Sequence, residues 1–134
     1  MSLHLLALLP AFLAYFAVAI VLLAVFLLLY VNITPYEEFA LIRAGNTAAS
    51  VTLSGALLGF AMPVANVIAH SDSLADLAAW GAIAGGVQIF TYLVARYSLP
   101  HLNDDIPDGK LAPAIFLAAL SLSVGLINAA CMTY

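Results

Sequence analysis

The sequence predicts an all-α integral membrane protein: four transmembrane helices arranged as two tandem helical hairpins, plus a short interfacial helix in the first loop. Three observations predict it. Hydrophobic residues make up 66% of the chain and charged residues 7%, against roughly 45–50% and about 25% in soluble domains, so there are too few charges to clothe a water-facing surface. Four stretches carry no charge, Leu5 to Val31, Thr47 to Ala69, Leu77 to Ala95 and Leu111 to Tyr134. Each is near or above the roughly 17 to 25 residues that cross a hydrocarbon core of about 30 Å. The chain also aligns on itself without gaps at a shift of 64, pairing Ala14 with Ala78, Phe16 with Trp80, Phe26 with Phe90, Leu29 with Leu93, Gly45 with Gly109 and Leu53 with Leu117. Residues 1–134 thus read as one transmembrane domain with repeat units of roughly 1–70 and 71–134. Two spans per unit give both copies the same orientation, related by an axis along the membrane normal.

Span one is rich in Leu, Val, Phe and Ala all round, the composition of a helix facing lipid. Ala17-Val18-Ala19 resembles a signal cleavage site, but the start is not basic and the apolar run continues past it, so the segment reads as a retained helix. At about 1.5 Å per residue it is longer than the core and must tilt or project. The charged island ITPYEEFALIRAGNTAAS follows. Thr34 reads as an N-cap, Pro35 as the first helical residue and Glu37 as the acid of a capping box. Glu37 and Glu38 in the first turn and Arg43 in the last suit the helix dipole, and Gly45 is placed to close the helix. Tyr36, Phe39 and Ile42 share a face, so this piece is expected to lie on the membrane surface as an elbow, with Asn46 capping span two.

The second loop, HSDSLAD, places His70, Asp72 and Asp76 close in sequence, a possible metal-binding set. Ser73-Leu74-Ala75-Asp76 has the form of a helix cap, and a capped turn is the reading preferred here. Small residues recur four apart at Gly55 and Gly59, Gly81 and Gly85, and Ser121 and Gly125. Such spacing lets helix backbones approach in lipid, so spans two, three and four are expected to form a tight core, with Pro63 kinking span two. Polar residues follow the same faces: Thr47, Ser50, Ser54 and Asn66, then Gln88 and Thr91, then Ser121 and Asn128. They are read as interhelical hydrogen bonds worth about 0.6 to 2 kcal/mol each, with a polar path between helices as the alternative. Arg43 lies in the first loop, Arg96 and Lys110 flank the third, and the second has no cation. The positive-inside rule then puts loops one and three in the cytoplasm and both termini outside.

No span holds Asp, Glu, Lys, Arg or His well inside its limits, and there is no Ser-His-Asp set, deep carboxylate pair or phosphate loop. The expectation is a protein that is not an enzyme and needs no cofactor or metal. A net charge of -4 with three basic residues argues against nucleic acid. The lone cysteine, Cys131, is expected to be a small packing residue near the outer face.

ITPYEEFALIRAGNTAAS, AWGAIAGGVQIF and the closing INAACMTY together resemble the YjfL family of bacterial inner-membrane proteins, the domain of unknown function 350. The most specific parts are Ile33-Thr34-Pro35, Asn46-Thr47-Ala48-Ala49-Ser50 and Asn128-Ala129-Ala130-Cys131-Met132-Thr133. The resemblance implies a small multi-pass inner-membrane protein of duplicated two-helix units, and no reaction. Lys110-Leu111-Ala112-Pro113 stands where the first copy has Asn46-Thr47-Ala48-Ala49, so an Asn-Thr site would exist once per chain. The function expected is a structural or accessory subunit that self-associates or docks a partner through the elbow. The alternative is a homo-oligomeric channel or small-solute transporter lined by Thr47, Ser50, Ser54, Gln88, Thr91, Ser121 and Asn128; lipid or quinone binding between helices is a weaker third.

Overall fold

A computed structural model describes residues 2–71 and 73–132, with the backbone alone for Ser2. Its elements are α1 (Ser2–Ile33), α2 (Glu38–Arg43), α3 (Thr47–His70), α4 (Leu74–Ser98), α5 (Leu102–Asp105) and α6 (Leu111–Cys131). Helices α1, α3, α4 and α6 are each long and apolar enough to cross a membrane. There is no strand among the described residues.

The helix starts follow from local chemistry. Asn46 accepts from the Ala49 N–H at 2.9 Å and caps α3; Ser73 accepts from the N–H groups of Ala75 and Asp76 and caps α4, both as the sequence reads. The elbow helix differs. It begins at Glu38 after an extended Glu37, with no side-chain cap, because the Thr34 N–H still donates to Tyr30 O at 3.1 Å. Thr34 therefore ends α1 instead of starting α2. The third loop holds α5, a short helix that the spacing of its residues does not announce.

Both short helices close on a glycine with positive φ, Gly45 at 88° and Gly109 at 79°. Gly45 N–H donates to Ile42 O and Asn46 N–H to Leu41 O; Gly109 N–H donates to Ile106 O and Lys110 N–H to Asp105 O. Each is a Schellman closure, which requires a left-handed residue at the turn. The two closures lie 64 residues apart, at the shift that aligned the sequence on itself.

Packing centres on α3, whose most extensive partner is α6, followed by α4. A methyl group added at Gly55 would lie 2.6 Å from Ala118 Cα, and one at Gly125 would lie 2.6 Å from Gly59 Cα. Backbone meets backbone along this seam, as close small-residue packing in lipid requires. Helix α3 runs through the buried Pro63 without interruption. Gly81 serves a different contact from the one expected: a methyl there would lie 2.6 Å from Leu22 Cδ1 of α1. Helix α1 is exposed along its first half and buries Phe26 and Tyr30 near its end. Phe26 stacks on Phe60 of α3 at 4.5 Å between ring centroids, and Tyr30 meets Tyr92 of α4 edge-on at 5.8 Å.

Candidate functional site

The residues expected to line one polar path do not converge. Thr47 and Ser54 are exposed, Ser50 is half-buried, and Gly55 and Gly59 face α6. Gln88 alone crosses between helices at depth: its Nε2 donates to Ser121 O at 3.0 Å, beside Gly59. Thr91 is buried but returns its hydroxyl to Val87 O of its own helix at 2.9 Å. Gly85 lies 3.6 Å from the rings of Phe26 and Phe60 by the same methyl test. Asn66 donates to Ala129 O at 2.9 Å and Met132 O at 3.0 Å, tying α3 to the end of α6, where Asn128 keeps a buried Nδ2 without a partner. The helical period puts these residues on several faces, and each face meets a different neighbour. Asn46 does more than cap: its Nδ2 donates to Ile106 O at 3.0 Å and Pro107 O at 3.1 Å, joining the two like-sided loops.

One further expectation is corrected, and the second loop keeps the capped turn preferred for it. Cys131, the last residue of α6, is exposed and is not part of the buried packing within this chain. His70 is exposed with Nδ1 2.9 Å from Asn66 O, and no group of metal-binding side chains occurs among the described residues. Asp72, the middle member of the set considered, lies outside the described residues.

The chemistry of the molecule concentrates under the elbow. Glu38 is only 1% exposed and Tyr36 7%, so neither offers a docking surface; the elbow's outward residues are Pro35, Glu37, Phe39 and Arg43. The reason is geometric. With α2 starting late and packing on α3, its first residue points into the bundle. Thr34 Oγ1 donates to Glu38 Oε1 at 2.7 Å, while Oε2 has no partner. The carboxyl acts electrostatically on Tyr30 of α1, Tyr36 of the linker and Tyr92 of α4. Tyr92 Oη donates to Asn103 Oδ1 at 2.7 Å. Tyr30 Oη has no partner, and Tyr36 Oη lies beside the Thr52 hydroxyl of α3 without a formed hydrogen bond, the Thr52 proton going to Ala49 O. Burial pushes the Glu38 carboxyl above its ordinary range, and the Thr34 hydroxyl opposes that rise. Burial likewise raises the Tyr36 phenol.

A family model described as Domain of Unknown Function (DUF350) matches residues 4–132. The chain belongs to the DUF350 family. Its relatives include the UPF0719 inner membrane protein YjfL of Escherichia coli strain K12, to which this DUF350 chain is 38% identical over 131 residues, 98% of the chain and 99% of that protein. The UPF0719 transmembrane protein YshE of Bacillus subtilis strain 168 is 26% identical over 113 residues, 84% of each chain. No solved structure is significantly similar to this DUF350 chain.

The buried carboxyl and its phenols are hidden from sequence reasoning because Glu38 stands one residue from the acid that fits a capping box, and a single acid in a loop is ordinarily solvated. One signal was present: Tyr30, Tyr36 and Tyr92 all fall within a turn or two of the same predicted membrane edge.

Proposed function

We propose that this chain is a non-catalytic structural or accessory subunit of the bacterial inner membrane that self-associates, with loops one and three in the cytoplasm and both termini outside. The observation that carries the reading is the seam between α3 and α6. Gly59, Gln88, Ser121 and Gly125 meet there so closely that a methyl group at Gly59 would lie 2.5 Å from Gln88 Nε2 and collide with Ser121 O. A single chain therefore has no solute-sized passage at its polar centre, and the amides and hydroxyls are spent on holding helices together.

The outward face of α3 supports association with a further copy. Ser54, Leu58, Ala61 and Ala65 are exposed there, and small residues with a hydroxyl beside one leucine gain more from a helix partner than from lipid. The names of the relatives support the membrane assignment, and the cations Arg43, Arg96 and Lys110 support the orientation.

Native mass spectrometry of protein extracted gently from its own membrane tests this. A homo-oligomer that weakens when Ser54 and Ala61 are replaced by Leu is the expected result. A strict monomer overturns the reading. Solute flux in proteoliposomes that disappears with Gln88→Leu would establish the channel in its place.

A further inference from the structure

We propose that the groove between α1 and α4, together with Arg96, is a binding site for one membrane phospholipid, with an acyl chain lying in the groove and the phosphate resting on the guanidinium. The groove holds about 270 Å³ and is walled by Val25 and Leu29 of α1 and Gly85, Gly86 and Ile89 of α4, with Phe60 of α3 as its floor. Two successive glycines make the room. A methyl group added at Gly86 would meet nothing within 4 Å, and one at Gly85 would reach only the rings of Phe26 and Phe60, at 3.6 Å. No polar side chain lines the groove, and both walls belong to helices long and apolar enough to cross a membrane. Its occupant is therefore a hydrocarbon chain and not a polar solute.

Many molecules carry a hydrocarbon chain, and the cation singles one class out. Helix α4 continues unbroken from the groove to Ser98. Ile89, Leu93 and Arg96 follow one another at spacings of four and three, which is one face of a helix, so Arg96 stands on the groove's own side about 10 Å beyond Ile89. Helical side chains lean toward the N-terminus, which on α4 is the direction of the groove. Arg96 is exposed, and among the described residues its guanidinium has no ion pair or hydrogen bond. Tyr97 beside it is exposed, an aromatic at the level where headgroups begin. Length agrees. From Gly81, at the far end of the groove, to Arg96 is about 22 Å along the helix, half of the roughly 40–45 Å of a bilayer with its headgroups. One phospholipid in one leaflet has that reach. Arginine takes a phosphate through two parallel N–H donors, and basic pockets between spanning helices hold lipid headgroups.

A second apolar groove of about the same volume, between α4 and α6, shows what the cation adds. Val87, Phe90 and Val94 line it on the opposite side of α4, and that face runs on into Ser98 without a charge. On the orientation proposed above the phospholipid sits in the cytoplasmic leaflet, although the site itself does not depend on that orientation.

The test is native mass spectrometry of the full chain, stripped of lipid in detergent and titrated with dioleoyl phosphatidylglycerol or with dioleoylglycerol, which has the same chains and no phosphate. Wild type is expected to take one phosphatidylglycerol per chain saturably and to hold it roughly tenfold more tightly than dioleoylglycerol, a difference of about 1.4 kcal/mol. Arg96→Gln should erase that preference and leave dioleoylglycerol binding unchanged. Gly86→Leu, which fills the groove where an added side chain meets open space, should weaken both lipids. Both substitutions fall on exposed positions, so the fold survives them. Equal affinity for the two lipids in wild type, a preference that survives Arg96→Gln, or binding untouched by Gly86→Leu overturns the site. Unsaturable uptake of many lipids per chain overturns it as well, and leaves only the lipid that surrounds any membrane helix. Copy number is read from the same spectra, so loss of the lipid and loss of self-association are separate outcomes.

Discussion

Glu38 shows how one position changes the reading of a whole loop. A carboxyl whose folded-state pKa is raised binds its proton more tightly in the native protein than in the unfolded chain. Its contribution is complete below the ordinary carboxylate value and is lost as pH rises through the raised one. The elbow should therefore loosen as pH rises, seen as falling hydrogen-exchange protection of amides 38–44 relative to their intrinsic rates, and Glu38→Gln should flatten the dependence. Gln88 is a milder case. Its Nε2 is bonded but its Oε1 is buried without a partner, so Gln88→Leu removes one hydrogen bond together with one orphaned oxygen. The net cost should stay under about 1.5 kcal/mol in reversible unfolding. The interhelical hydrogen bond of Gln88 was legible beforehand and the burial of Glu38 was not. Sequence spacing reported that Gln88 lies on a small-residue face, but burial of Glu38 depends on Thr34 finishing α1, a choice made by a backbone hydrogen bond to Tyr30.

At the scale of elements, glycines separate into those that touch and those that do not. Gly59→Ala forces a methyl into Ser121 O and Gln88 Nε2 and should cost about 1–3 kcal/mol, since the backbone of α6 cannot yield without opening the seam. Gly86 has nothing within 4 Å of an added methyl, so Gly86→Ala should be neutral or slightly stabilising by about 1 kcal/mol from helix propensity alone. A denaturant series on the two variants checks the contrast. The existence of the four long apolar helices was legible because charge exclusion and length decide it, while α4 runs past the uncharged stretch to take in Asp76 and Arg96; Asn46 and Ser73 were legible because an N-cap is a local event. The partner of each face was not. Gly81 and Gly55 begin the same four-residue motif, yet one receives Leu22 of α1 and the other the backbone of α6, and only the assembled bundle distinguishes them.

For the whole molecule, the exposed Cys131 offers a direct probe of orientation. A membrane-impermeant maleimide should label it from the outer side of intact spheroplasts, while labelling only in inverted vesicles would reverse the proposed topology. The fold class was the most legible property of all, since 66% hydrophobic residues leave a chain no alternative to the bilayer. The glycine closures at Gly45 and Gly109 stand 64 residues apart, the shift at which the sequence aligns on itself. The spans themselves differ: α3 is the most buried of the four and α1 the least, with α4 and α6 between them.

The asparagines at the two ends of α3 have a mechanical consequence. Asn46 holds the loop that leads into α6 and Asn66 holds the residues where α6 finishes, so the pair is a strut pinned at both ends with its backbones interlocked between. Sliding by one helical turn, about 5.4 Å, would break both pins at once. A piston movement between α3 and α6 would have to release both pins together, so the two helices behave as one rigid unit.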